Sequence, residues 1–223
     1  AQIHLKIGRI LLLHRPESSD VRIFDIVNHI NQGKELIDDV EELYALTKLN
    51  IEAGTKAKKA SAFELAFEYF DTALQLLPKN TWQQDYQLTL DLYNDAAEMA
   101  YLAVRAEFVE KYTAEILKNA KTVLDTLKAY TVRIAFYGSQ GNHEKSIENG
   151  YEILEKLDVK IPRKPNKLHI ITQLIKTKIR LRGKTADDLF ALPQMESEQW
   201  KAAMSVLSMV TGPSYIYSTN LFA

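Results

Sequence analysis

The chain contains no cysteine, which excludes disulfides, thiolate zinc sites and a cysteine nucleophile together. Glycine and proline are scarce, 8 and 6 in 223 residues, so the sequence offers little of the punctuation that tight turns need. No apolar run approaches the roughly 20 residues that span a bilayer, and the opening IHLKIGRILLLHRP has no small-residue cleavage site behind it. Net charge is missing too. With 28 basic and 29 acidic residues the formal charge is −1, and the field of the whole chain favours neither a nucleic acid nor a strongly acidic partner. These absences lead to the expectation of a cytoplasmic, globular protein. There is also no initiator methionine, and the closing SYIYSTNLFA carries aliphatic and aromatic residues that are normally covered, so both ends are expected to lie inside something longer.

What is present is apolar periodicity. At 46% hydrophobic content the chain can bury a core as one extended domain or two small ones. Its apolar positions recur mostly at three and four residues, the spacing of a helix face. Helices are expected over 2–14, 21–33, 38–59, 62–77, 81–103, 106–120, 122–140, 143–157, 166–182 and 198–210, with no strand. In GTKAKKASAFELAFEYFDTALQLLP, residues 54–78, Ser61-x-x-Glu64 reads as a capping box at a helix start. Counting back from Pro78, the residues Ala73, Phe70, Ala66 and Gly54 fall at the spacings of a tetratricopeptide helix pair, with Phe70 filling the gap left by small residues. Ser146 lies 80 residues after Ala66, so two units of forty fit the interval; in that unit Tyr130 and Tyr137 sit on the first helix, Gly141-Asn142 turns, and Pro162 follows the second. The middle unit keeps Ala96, Ala97, Ala100, Phe108 and Tyr112 but not the full pattern. The expected fold is all-α, a superhelical array of antiparallel helix pairs in degenerate tetratricopeptide-like repeats. An ordinary helical bundle with alanines at its close contacts is the alternative.

Several stretches also carry a resemblance: HLKIGRILL (4–12), FDIVNHINQGKELI (24–37), LNIEAGTKAKKASAFELAFEYFDTAL (49–74), YQLTLDLYNDAAEMAYL (86–102) and DLFALPQM (188–195). Together they resemble the helical-repeat segment of large bacterial signalling proteins. Those proteins join an N-terminal serine/threonine kinase, an AAA-type ATPase, the helical region, a GAF domain and a C-terminal sensor histidine kinase. The resemblance covers nearly the whole chain and is most specific in AGTKAKKASAFELAFEYF. It implies a position directly after the ATPase module, a tetratricopeptide-like fold and a sensing or coupling role, and it brings no catalytic residue. YLAVRAEF (101–108) departs from the glycine-containing turn expected between the middle helices.

Catalytic motifs are not found. RGKT (182–185) ends like a phosphate-binding loop, but Lys178 stands where that loop needs glycine, and a helix precedes it where a strand belongs. No glycine-rich kinase loop, V-A-I-K lysine or D-F-G triplet occurs, and His14-Arg15-Pro16 lacks the aspartate of a kinase catalytic loop. His4, His14, His29, His143 and His169 show no metal-ligand spacing, so neither a metal nor a cofactor is expected. His29 raises a competing class. Gly33 follows it by four residues, as where a phosphotransfer bundle clears one helical turn so that a response regulator can reach the imidazole. The simpler reading makes Gly33 the left-handed residue that ends a helix, with Asp38 or Asp39 capping the next.

Charge supplies the last signals. Residues 160–184, KIPRKPNKLHIITQLIKTKIRLRGK, hold nine lysines and arginines and no acid. Lys176, Lys178, Arg180 and Arg182 step by two and spread around a helix, and no aromatic residue is available there for base stacking, which disfavours nucleic acid. IPRKPNK reads as a boundary because its prolines stop the preceding helix. Earlier, Asp38, Asp39, Glu41 and Glu42 open a helix that closes on Lys56, Lys58 and Lys59, the order that suits a helix dipole. Tyr44, Phe63, Phe67, Tyr69 and Phe70 read as repeat packing. The expected organisation is 1–37 as helices linking to an upstream ATPase module, 38–162 as the helix pairs, and 163–223 as helices continuing the array. The expected function is a non-enzymatic interaction and regulatory segment of a multidomain signalling kinase. Its partner is a neighbouring domain or a protein or peptide, without membrane insertion; a stand-alone peptide-binding adaptor is the remaining rival.

Overall fold

The computed structural model describes residues 1–15 and 22–218; Pro16, the helix start expected at 21 and the closing TNLFA lie outside the described residues. Twelve α-helices occur among them: α1 Gln2–Leu13, α2 Ile23–Asn31, α3 Val40–Lys59, α4 Phe63–Leu76, α5 Thr81–Gln84, α6 Tyr86–Leu102, α7 Ala106–Asn119, α8 Val123–Ser139, α9 His143–Lys156, α10 Lys167–Leu181, α11 Ala186–Phe190 and α12 Glu198–Tyr217. No strand occurs among the described residues. The chain forms two compact units, Ala1–Asn119 and Ala120–Ala223.

In the first unit α1 pairs with α2, α3 with α4 and α6 with α7, while α2 also meets α3 and α4 meets α6. α3 starts where Asp39 accepts a hydrogen bond from the Glu41 amide at 3.2 Å, and it carries Glu41 and Glu42 in its first turn and three lysines in its last. Its buried stripe, Leu46, Asn50, Ala53, Gly54 and Ala57, faces α4 and its neighbours. The two helices approach so closely at Gly54 that a Cβ there would lie 2.7 to 2.9 Å from ring atoms of Phe70. Phe70 is fully buried and contributes about 2–3 kcal/mol through removal of its apolar surface from water. α4 stops at Leu76 because Leu77, preceding Pro78, is driven to an extended backbone.

Three hairpins close on one turn. After α3 the Ser61 amide bonds the Lys58 carbonyl and the Ala62 amide the Ala57 carbonyl; after α6 the same pair runs Val104 to Tyr101 and Arg105 to Ala100; after α8 it runs Gly141 to Gly138 and Asn142 to Tyr137. Each is a Schellman motif, whose central residue takes a left-handed backbone. The φ values are +57° at Ser61, +59° at Val104 and +73° at Gly141. The missing glycine in YLAVRAEF therefore does not change the turn, because Val104 occupies the glycine's conformation. α9 ends the same way at Asp158, φ +60°, before Pro162 is reached.

Five sequence readings are corrected. Ser61 is not part of a capping box: α4 is preceded by Ala62 with no side-chain cap, Ser61 ends α3, and Glu64 pairs with Arg105 instead. Gly33 is not left-handed, with φ −122°; it is small because a Cβ would meet Leu5 Cβ at 2.7 Å and the Ala1 carbonyl at 3.0 Å. The helix expected over 81–103 breaks at Asp85, whose carboxylate accepts the Leu88 amide and the Tyr44 hydroxyl. α12 runs past 210 to Tyr217, since Pro213 forfeits only one helical bond and packs toward Gly138. The short α11 was missed; Thr185 and Asp188 form its capping box, which also gives the threonine of RGKT a structural role.

Two substitutions test this packing. Gly54→Ala gains about 1 kcal/mol of helix propensity but forces the Phe70 ring to move, and a net loss of about 1–2 kcal/mol is expected in urea unfolding. Ser61→Gly is expected to stabilise by about 0.5–1 kcal/mol, since it relieves a left-handed serine; a capping serine would instead lose stability.

Candidate functional site

The residues singled out by spacing sit in two places. Gly54, Ala66, Phe70 and Ala73 meet in the α3–α4 seam, and all four are buried; Pro78 lies just past it. Tyr130, Tyr137 and Ser146 belong to the α8–α9 hairpin of the second unit. Ser146 is fully buried and donates to the Ile134 carbonyl at 2.9 Å, tying the two helices together. Burial, with Glu152 nearby, pushes the Tyr130 hydroxyl up to about 12. Tyr137 is half-buried, with the Lys145 ammonium 5.1 Å from its ring centre.

Within the first unit five of the polar side-chain bonds that join the hairpins span 41 residues. Tyr69 donates to Asn28 at 2.9 Å, Tyr44 to Asp85 at 3.1 Å and Lys34 to Gln75 at 3.3 Å; Tyr112 donates to Asp71 and Arg105 to Glu64 at the same separation. One helix pair thus hands a bond to the next at a fixed register. That step exceeds the 34 residues of a tetratricopeptide unit. Burial, and then the Asp71 carboxylate, raise the Tyr112 phenol far above its ordinary range, so it is a committed donor. An aromatic chain runs alongside, with ring centres 5.0 Å apart for Phe67–Phe108, 5.6 Å for Phe108–Tyr112, 5.9 Å for Tyr112–Tyr93 and 5.3 Å for Tyr93–Trp82.

His29 does not stand clear for phosphotransfer. Its Nδ1 lies 2.8 Å from Nδ1 of His4, the rings stack at 5.0 Å, and Gly33 is used against α1. Among the described residues no three histidine, cysteine or carboxylate side chains gather as for a metal.

The second unit holds an open groove of about 330 Å³ between α9 and α12. The helices run antiparallel, as the contacts Gln199 to the Leu157 carbonyl and Tyr217 to Glu144 show. Gly150 makes the approach possible, since a Cβ there would meet Val210 Cγ1 at 2.4 Å. Ile147, Leu154, Met204 and Leu207 give the groove an apolar lining, completed by Ile161 from the segment after α9. Exposed Glu144, Glu148 and Glu155 neighbour the lining residue Tyr151 on the surface of α9 and give that rim negative charge. The segment after α9 is fastened at the same rim: Tyr151 donates to the Pro162 carbonyl at 3.2 Å, and Arg163 lies 3.5 Å from Glu155. Sequence reading missed this groove, although Ile147, Gly150 and Leu154 with the adjacent glutamates spell one side of it at helical spacing.

The basic stretch takes the opposite form. α10 buries no residue, and Leu168, Ile171, Leu174, Ile175 and Ile179 are each at least 51% exposed.

The chain is 28% identical over 179 aligned positions to the hybrid signal transduction histidine kinase G of Dictyostelium discoideum, covering 70% of this chain and 5% of that one. The chain therefore spans a small fraction of the length of that relative. No family model matches, and no solved structure matches. No helix among the described residues is long and apolar enough to cross a membrane.

Two expected outcomes follow. Tyr112→Phe leaves the Asp71 oxygen without its donor and is expected to cost about 1–3 kcal/mol, read by urea unfolding. The Arg15 guanidinium, and to a lesser degree Lys56, hold the Glu52 carboxyl down to about 2. Because that value is lower folded than unfolded, the stability it contributes is present above the ordinary glutamate range and lost as pH falls toward about 2. The stability gap between wild type and Glu52→Gln should shrink through that window in denaturant titrations.

Proposed function

We propose that this chain is a non-enzymatic interaction and regulatory segment of a multidomain signalling kinase, in which partner binding is coupled to neighbouring ATPase and kinase modules. In this reading the helix pairs form a tetratricopeptide-like array, and the segment contributes surfaces rather than catalytic groups. The observation that carries it is the fixed-register stacking of helix pairs in a chain similar to a stretch of a signal transduction histidine kinase. Stacked pairs present long continuous faces, and a partner that prefers one arrangement of the pairs shifts the population toward it.

The phosphotransfer reading is disfavoured by the engagement of His29 with His4. A phosphorylation assay on wild type and His29→Gln separates the two: labelling lost only in the variant would restore that reading. The main test is a calorimetric titration of this chain against the AAA-type ATPase module expected before it, with and without ATP. Nucleotide-dependent binding is the expected result. No binding in either state overturns the coupling to that module.

A further inference from the structure

The groove between α9 and α12 and the face of α10 are complementary, and both are open. From this we infer that the groove is a docking site for a basic amphipathic helix, and that its occupant is α10 of the same chain. The inference rests on the reading of the segment as an interaction module and goes beyond it by naming one surface and its ligand.

The apolar match comes first. Leu168, Ile171, Leu174, Ile175 and Ile179 share one half of the α10 cylinder, at the spacings of a helix that buries a face. The groove offers aliphatic and thioether side chains from both walls. At about 1.5 Å per residue α10 is roughly 22 Å long and α9 roughly 21 Å, so one can lie along the other.

Charge sets the direction. Residues 160–184 carry nine cations and no acid. Lys167 and Lys178, eleven residues apart, lie within the apolar half of α10, while Glu155 and Glu144, also eleven apart, lie on the groove rim. An α10 antiparallel to α9 sets Lys167 beside Glu155 and Lys178 beside Glu144. The lysine stems then cover apolar surface while their heads reach the rim.

Connectivity favours the same chain as occupant. Ile161 already lines the groove, and Arg163 is held at Glu155 and over the Tyr151 ring. From Arg163 only four residues lead to Lys167, a reach of about 13 Å. A tether this short keeps α10 at high effective concentration beside the rim, ahead of any helix arriving from solution.

The absence of cysteine makes the test clean. In the full chain, Ile175→Cys with Thr211→Cys places one thiol on the apolar face of α10 and one on the groove wall of α12. Gln173→Cys with Thr211→Cys places the first thiol on the opposite face of α10. All three positions are exposed, so the substitutions spare the core, and circular dichroism checks that helicity is unchanged. Under mild oxidation the first pair is expected to form an intrachain disulfide at least about tenfold faster than the second. Lys178→Glu should slow the first pair, and adding Glu144→Lys should restore it. Equal rates for both pairs, no intrachain disulfide, or interchain disulfides alone overturn the assignment of α10. In that event a basic amphipathic peptide unrelated in sequence, titrated against the chain, reports on the wider reading: binding blocked by Met204→Asp keeps the groove as a partner site, and no binding removes it.

Discussion

To reverse a helix within two residues, the chain must place one residue in the left-handed region, and Ser61, Val104 and Gly141 do this between the two helices of a pair. The rest of the structure depends on that turn. Its paired backbone bonds satisfy the last carbonyls of one helix and aim the next helix back along it. Once the two axes are fixed, small residues must stand where they come closest, and an aromatic ring must fill what the small residues vacate; Gly54 under Phe70 is the clearest instance. Two of the three turns accept a residue other than glycine, at a cost of about 1–2 kcal/mol each. Val104, β-branched and solvent-exposed, is the extreme case.

The helices were legible in the sequence because burying one face imposes a period that local inspection detects. Gly54, Ala66 and Phe70 were legible for the same reason, as residues whose sizes complement each other at fixed offsets. Backbone conformation was not. Serine three residues before glutamate satisfies the pattern of a cap, but Ser61 stands one residue earlier, at the end of α3, and nothing in its side chain announces a positive φ. Gly33 shows the converse: glycine answers both to left-handed backbone and to close approach, and here the crowding of Leu5 decided. The five bonds at the 41-residue offset were invisible because each is a single tyrosine, lysine or arginine with a distant partner. Pairing polar residues at that offset, rather than scanning along the chain, would have found them.

Polar chemistry in this molecule serves registration. Tyr69, Tyr112 and Arg105 each join one helix pair to another, Lys58 bridges Asp95 and Glu98 on α6, and Ser146 ties α9 to α8. His29, the residue with the strongest catalytic pretension, is absorbed into the α1–α2 contact. What the second unit leaves open is of another kind: an apolar groove with an acidic rim, and a cationic helix that buries nothing.

The 41-residue step constrains chain length as well as side chains. In the first unit helix pairs meet through hydrogen bonds at one offset and through a strip of aromatic surface. A residue inserted between Asn28 and Tyr69, or between Asp71 and Tyr112, would turn the donor about 100° away from its acceptor on the helix surface, so spacing along the chain carries information that no single side chain does.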